Sequence, residues 1–362
     1  MKTIMKTLLV SIASLSLMLS AQAGELSVSG SAKATYNTSA GDNTDNGIGV
    51  TNELNFTASG EMDNGYSWKY STELDPSAAG TTGNTTGDAP GSAINDDTSI
   101  VLTMNDMGSL KFCVSECGNN KKYAWDHSAY TSMSDTGLSE GIVYPGDVGS
   151  KANIQYHTPE LPFGTTASIA YGTGSKDGTS GNAAGLSTGP GNGANGDSMN
   201  EYSLVTKPID GLTLSAAYYE VNDYDDDGVT EIQDQKEEGG SYAASYSVGN
   251  ISLGYGKSFK APADTSTTRT DGATQVEYYE NDGFSVGYAV NDALSVSYTS
   301  ETSVRKMQTS ATTTYDIEMD SIQIAYSLGG ATLSIARADY ENVSYTDGLD
   351  QEETIIALAF AF

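Results

Sequence analysis

The sequence predicts an all-β fold, a closed transmembrane antiparallel β-barrel of sixteen strands. Three observations carry that expectation. Past residue 23 the chain alternates apolar and polar residues with period two, the period of a strand and not of a helix. Its connections alternate strictly between short turns and long Gly/Ser/Thr/Asp-rich segments, as in barrels that cross a membrane. One strand face is Ser, Thr, Asn, Gln, Lys and Glu, too hydrated for a packed core, while aromatics mark the strand ends of the other.

The alternation is clearest in Leu26–Tyr36, where even positions are apolar or small and odd positions polar. It returns in Tyr66–Leu74, Leu110–Phe112, Leu212–Tyr218, Tyr242–Val248, Phe284–Tyr288, Leu294–Tyr298 and Ile322–Leu328. Short turns are expected at Met62–Gly65, Asn105–Gly108, Pro159–Gly164, Lys207–Gly211, Val248–Asn250, Val290–Ala293 and Leu328–Gly330, where Asp, Asn and Gly favour tight hairpins. Long loops are expected at 37–48, 76–96, 118–149, 173–199, 222–238, 260–282, 304–318 and 343–350. Seven turns and eight loops join sixteen strands, which leaves both ends of the sheet on the short-turn side, free to pair. Within 260–282, Thr274–Tyr279 reads either as a small extra hairpin or as an extension of the next strand.

Composition narrows the classes. The chain has 362 residues, 47 Asp and Glu against 17 Lys and Arg, and a net charge of −30. Such a field repels nucleic acid, so no nucleic-acid partner is expected. No polytopic helical membrane protein is this polar, because each spanning helix needs about 20 mostly apolar residues. A long disordered tail is excluded by the scatter of acids and of the 23 tyrosines along the chain.

Residues 1–23 read as an export signal: Lys2 and Lys6, the apolar stretch Leu8–Leu19, then Ala21-Gln22-Ala23 as the cleavage site. Residues 24–362 are then the barrel, and loss of the two lysines takes the charge from −30 to −32. Outside the cytoplasm a disulfide is permitted. Cys113 and Cys117 lie about 13 Å apart if the strand stays extended, and a turn at Ser115–Glu116 would bring them within bonding reach. The alternatives are that local disulfide or two free thiols at a strand end.

A soluble sandwich also alternates, but hides its apolar face between two sheets. Here the unequal connections and the aromatic strand ends Tyr36, Tyr66, Trp68, Phe112, Tyr156, Tyr171, Tyr218, Tyr246, Tyr298 and Phe360 favour lipid on one face. In hydrocarbon every backbone group must be paired, so the sheet has to close. Sixteen strands enclose water.

The leader, the strand count, the long third loop 118–149 and the terminal run Ile355–Phe362 together resemble the general diffusion porins of Gram-negative bacteria. That resemblance implies outer-membrane localisation after export through the periplasm, with short periplasmic turns and long external loops. It implies recognition of Phe362 by the assembly machinery, a homotrimer, and a third loop folded into the lumen. It further implies that acids of that loop, here Asp126, Asp135, Glu140 and Asp147, face basic residues on the opposite wall. Family basic clusters are usually arginines. The wall positions here hold lysines, and no Pro-Glu-Phe-Gly-Gly segment is present in the loop.

Strand parity selects the lumen residues. Leu26, Val28, Ala32 and Ala34 face lipid, so Lys33 faces inward. The same rule turns Lys69 and Glu73 inward beneath Tyr66, Trp68 and Tyr70, and Lys111 beneath Leu110 and Phe112. A lysine or arginine on the lipid face at mid-depth would cost about 2–4 kcal/mol. Lys33, Lys69 and Lys111 either oppose the acidic third loop and set a transverse field, or are solvated lumen charges away from the narrowest point. Arg337 breaks parity after Leu333 and Ile335, and a bulge near Ala336 would turn Arg337 and Asp339 inward.

In the fifth loop, Asp223, Asp225, Asp227, Gly228, Val229, Glu231 and Asp234 follow the D-x-D-x-D-G spacing that wraps a chain around Ca²⁺. The twelfth position is Asp and no helices flank it, so the alternative is a solvated acidic loop. No cofactor is otherwise required. External acids could also bridge through divalent ions to lipopolysaccharide.

The expected function is a passive, water-filled channel for small hydrophilic solutes and ions. A net charge this negative enriches cations at the mouth, so cation preference is expected. A substrate-specific channel is the nearest alternative, but an aromatic ladder along the lumen is lacking, Tyr219 and Tyr279 being isolated. A secreted or surface β-protein is a further one. An enzyme is not expected: a nucleophile needs a base and an orienting group, and the chain's two histidines are His127, in the third loop, and His157, read as lining the lumen.

Overall fold

The computed structural model describes residues 24–41, 46–74, 96–114, 117–132, 140–150, 152–172, 198–222, 235–262, 276–308 and 313–362. The leader 1–23 lies outside them. Sixteen strands run β1 (Leu26–Gly41), β2 (Gly47–Glu61), β3 (Ser67–Leu74), β4 (Asp96–Thr103), β5 (Ser109–Cys113), β6 (Asn153–His157), β7 (Thr166–Gly172) and β8 (Met199–Ile209). They continue as β9 (Leu212–Val221), β10 (Glu238–Val248), β11 (Ile251–Ala261), β12 (Val276–Ala289), β13 (Leu294–Met307), β14 (Ile317–Ser327), β15 (Ala331–Glu341) and β16 (Gln351–Ala361).

Every strand pairs antiparallel with its sequence neighbours, and β1 closes the ring on β16 from Ser31 opposite Ala361 to Gly41 opposite Gln351. Phe362 and Gly30 finish the seam with reciprocal backbone hydrogen bonds of 2.7 and 3.0 Å. Closure leaves no edge to be satisfied in lipid. Among the described residues no helix is long and apolar enough to cross a membrane.

Parity holds as read. On β14, Ile322, Ile324 and Tyr326 are exposed outward while Ser321, Gln323 and Ala325 are buried inward. Where the outer apolar band ends, three outward tyrosines donate to carboxylates one strand away. Tyr218 bonds Glu238, Tyr255 bonds Asp282 and Tyr298 bonds Asp320, each at 2.6 Å. An amphipathic ring with its hydroxyl on a charged group suits the lipid–water boundary.

The wall is uneven. β5 and β6 have five residues each, whereas β12 and β13 have fourteen. The chain leaves the sheet early after β5, and the third loop enters the barrel there.

Several expected boundaries shift. The ladders of β1, β12 and β13 run on through parts of 37–48, 260–282 and 304–318 that read as loop. Pairing needs only backbone groups, so strands continue above the apolar band where both faces are polar. Thr274–Tyr279 is accordingly part-strand: β12 begins at Val276 and no extra hairpin forms among the described residues. Lys207 and Pro208 belong to β8, where a register shift between Thr206 and Ile209 accommodates a residue with no N–H to donate. The turn itself falls to Asp210 and Gly211, the latter at φ 76°.

The bulge expected near Ala336 is absent. β15 pairs without a register shift, and Arg337 and Asp339 stay on the outer face with Leu333 and Ile335. Arg337 bonds Asp339 at 2.8 Å and Glu352 at 2.9 Å. It shares a sheet row, through Ile322, with Tyr298. At that boundary level a paired charge meets head groups and water, so nothing forces it inward.

Candidate functional site

The inner face is built by the odd positions of β1 and their counterparts around the ring. The third loop is laid along it. At its root Cys113 and Cys117 form a disulfide with Cα atoms 6.1 Å apart. Gln155 on β6 donates to the Cys117 carbonyl and accepts from Asn119 Nδ2 at 3.0 Å. Glu201 on β8, 1% exposed, accepts from the Asn119 N–H at 3.2 and 3.1 Å and from the Val148 N–H at 3.4 Å. One carboxylate therefore fastens both stems of the loop.

The outgoing limb then crosses strand after strand. The Lys121 N–H donates to Ser241 Oγ at 3.2 Å, the His127 N–H to Ser285 Oγ at 2.9 Å and the Ala129 N–H to Ser297 Oγ at 2.8 Å. Gln323 on β14 accepts from Tyr130 N–H and Thr131 N–H and donates to the Thr131 carbonyl. The serines that look like solvated lumen in the sequence are thus partners for loop backbone, which must be satisfied wherever it is buried.

Midway, Trp125 is 4% exposed. It lies on inward glycines of β11 and β12: a Cβ at Gly256 would come 2.1 Å from its Cδ1, and one at Gly283 would come 2.3 Å from its Cη2. Its Nε1–H donates to the Lys122 carbonyl at 2.8 Å.

The return limb packs against the eighth loop, 342–350. The Ser344 N–H donates to the Glu140 carbonyl at 2.8 Å, and Tyr144 donates to Glu301 on β13 at 3.0 Å. Ile317, Met319, Ala338, Tyr340, Val343 and Tyr345 form an apolar cluster inside the barrel, with Ile142 of the third loop packed on it. Asn342, Ser344 and Tyr345 hold positive φ angles of 53°, 57° and 59°, a strained geometry that the packing overcomes.

The residues selected from the sequence fall as follows. Lys33 points inward, its Nζ 5.6 Å from the Tyr130 ring centre. Lys69 and Lys111 point inward in one row, joined through Val101. Lys33 lies eight residues (33 − 25) along β1 from Glu25, whose carbonyl meets the Ser59 that pairs with Lys69. That offset is about 26 Å along the strand, so Lys33 is at another height. Glu73 is inward, in register with Asn55 and Asp96. Asp126 turns to its own loop and the wall, accepting from Ser128 N–H at 2.9 Å, Ser128 Oγ at 2.7 Å and Thr299 Oγ1 at 3.4 Å. Asp147 accepts from the Gly149 N–H at 2.9 Å. Glu140 is 6% exposed, and burial, reinforced by nearby Glu353, pushes its carboxyl up to about 7. Burial also raises the Tyr144 phenol well above its usual range. Asp135 and the calcium-type run Asp223–Asp234 lie outside the described residues. His157 lines the lumen, its Nε2 2.8 Å from Gln155 Oε1. Tyr219 and Tyr279 are indeed inward, Tyr219 buried at the loop root and Tyr279 against the apolar cluster.

Sequence reasoning missed Glu201, Gln155, Gln323, Glu301, Trp125 with its glycine bay, the loop lysines Lys121 and Lys122, and the inward eighth loop. Only the bay left a legible mark: Gly254 and Gly256 at inward positions of β11, the second facing Gly283 across the ladder.

Comparison with known proteins agrees with this architecture. The family profile described as Gram-negative porin matches residues 7–362. No curated protein sequence matches. Among solved structures, an anion-selective porin from Comamonas acidovorans superposes with TM-score 0.65 at 13% identity, over 94% of this chain and 100% of that one. OmpF of Salmonella typhi in complex with daunomycin gives 0.61 at 16%, over 94% and 98%. OmpT of Vibrio cholerae, in its trimer form, gives 0.59 at 12%, over 94% and 100%. The chain belongs to the Gram-negative porin family, whose members are outer-membrane β-barrel channels.

Proposed function

We propose that the protein is a passive diffusion channel for small hydrophilic solutes and ions, working after export across the inner membrane. The observation that carries this reading is the pairing of a closed sixteen-strand wall, apolar outside and polar inside, with a third loop hydrogen-bonded along its inner face. A loop held so narrows the lumen without sealing it by a separate domain, and solutes are sieved by size. The fields of the wall lysines and of the loop acids act on whatever passes. The charge of −32 that remains once the leader is removed favours cations at the mouth and supports a cation preference that salt weakens by screening. The inward lysines work against it, so the preference is modest. A homotrimer in contact with lipopolysaccharide is the assembly we expect, by analogy with the trimeric Vibrio cholerae OmpT. No catalytic role is assigned.

Planar-bilayer recording in a salt gradient tests the reading. Discrete conductance steps with a reversal potential on the cation side, moving toward zero in concentrated salt, are expected. A purified barrel that inserts and carries no current would overturn it.

A further inference from the structure

The third loop leaves the wall beside a covalent bond. Strand β5 ends at Cys113, whose backbone is paired with Ser99 on β4 and with Asn153 on β6. Backbone for a longer β5 is present. β4 reaches back three residues past Ser99 (99 − 96), to Asp96, and the Val114 N–H already donates to the Thr98 carbonyl at 2.9 Å. Elsewhere in this barrel strands run on along such neighbours, β12 and β13 to fourteen residues each. An extended β5 would carry Cys117 about 13 Å from Cys113. The disulfide holds their Cα atoms 6.1 Å apart, and so turns the chain off the sheet into the lumen.

The neighbouring fastenings depend on where Cys117 sits. Gln155 donates to its carbonyl, and two residues on, Asn119 donates through Nδ2 to Gln155 and through its N–H to Glu201. The return stem packs on the same spot. A Cβ at Gly149 would stand 2.8 Å from the Gly118 nitrogen and 3.2 Å from that of Cys117, so the stems meet there with no side chain between them. Cys113 and Cys117 are 5% and 7% exposed, covered by the loop they fasten. The bond therefore forms before the loop docks. In that exchange the two thiols pass two protons and two electrons to a disulfide of a periplasmic oxidant, which leaves as a dithiol.

We propose that the Cys113–Cys117 disulfide sets the exclusion limit of the channel. Joined, the two residues fix the root of the third loop across the lumen. As free thiols they let the root swing back toward the wall, and larger solutes pass. The proposal rests on the diffusion-channel reading and deepens it, because the limit then depends on thiol oxidation during export. A covalent loop this short shifts the balance between docked and undocked root about thirtyfold.

The test compares residues 24–362 as the disulfide-bonded barrel, as Cys113→Ser/Cys117→Ser, and as a dithiol form. The dithiol form is wild type unfolded in urea with dithiothreitol and refolded in detergent, its thiols counted by maleimide labelling. In planar bilayers the serine variant and the dithiol form are expected to spend about thirtyfold more time in a larger conductance state. In liposome swelling both are expected to admit raffinose faster relative to arabinose. Unfolding the dithiol form and oxidising it before a second refolding is expected to restore both readouts. A dithiol form with the conductance and the raffinose rate of the bonded barrel overturns the proposal, whether or not the serine variant assembles. A change in the serine variant alone also overturns it, since altered packing and not the missing bond would be the cause. A disulfide-bonded barrel without current overturns the channel reading instead.

Discussion

The indole of Trp125 occupies the space that a side chain at Gly256 would need: the missing Cβ would stand 2.1 Å from its Cδ1. Loop and wall are therefore matched by subtraction, with glycines on β11 and β12 leaving a bay for one ring. Gly256→Val is expected to push the loop off the wall at a cost of about 1–3 kcal/mol. In a Trp68→Phe background, tryptophan emission should shift to the red and single-channel conductance should change. Unaltered emission and conductance would show that the bay does not seat the loop.

Glu201 fastens both stems of the third loop through three backbone hydrogen bonds. Glu201→Ala leaves two buried N–H groups without that acceptor, a loss of about 1–3 kcal/mol for each. Faster proteolysis within the third loop and noisier open-channel current are expected, with the barrel still resistant to unfolding. Glu201→Gln, which keeps one acceptor oxygen, should fall between. Equal cleavage rates in all three proteins would remove the clamp.

Glu140 couples the third loop to the eighth. Its carboxyl is raised from 4.5 to about 7 by burial and by Glu353, with Tyr144 and Glu301 close by. The docked form therefore holds a proton that an undocked carboxyl has already lost. Docking is fully supported below about pH 4.5 and weakens as pH rises toward 7. Amide exchange at residues 141–144 should accelerate from pH 5 to pH 8 beyond its chemical dependence. Glu140→Gln should abolish that excess; an identical excess in the variant would count against it.

The fifth-loop run Asp223–Asp234 predicts divalent binding from spacing alone. Calorimetry on EDTA-treated protein should register Ca²⁺ heat that Asp225→Asn/Asp227→Asn removes. Heat indistinguishable between the two leaves a solvated acidic loop.

The sequence by itself determined the barrel. Period-two alternation fixes which face meets lipid, and parity alone placed Lys33, Lys69, Glu73 and Lys111 inside. Alternation of short and long connections set the strand count and the pairing of first and last strands. These properties are local, because a strand's neighbours are its neighbours in the chain. Tertiary structure decided what the inward polar residues do. Gln155, Glu201 and Gln323 read as wet lumen, yet each binds loop backbone that arrives from tens of residues away. Likewise Arg337 needed no bulge, because its height at the Tyr298 level, and not its parity, sets the cost of its charge. Polarity in a sequence marks a side chain that will not meet lipid; whether it meets water or another strand of the same chain depends on where the loop folds.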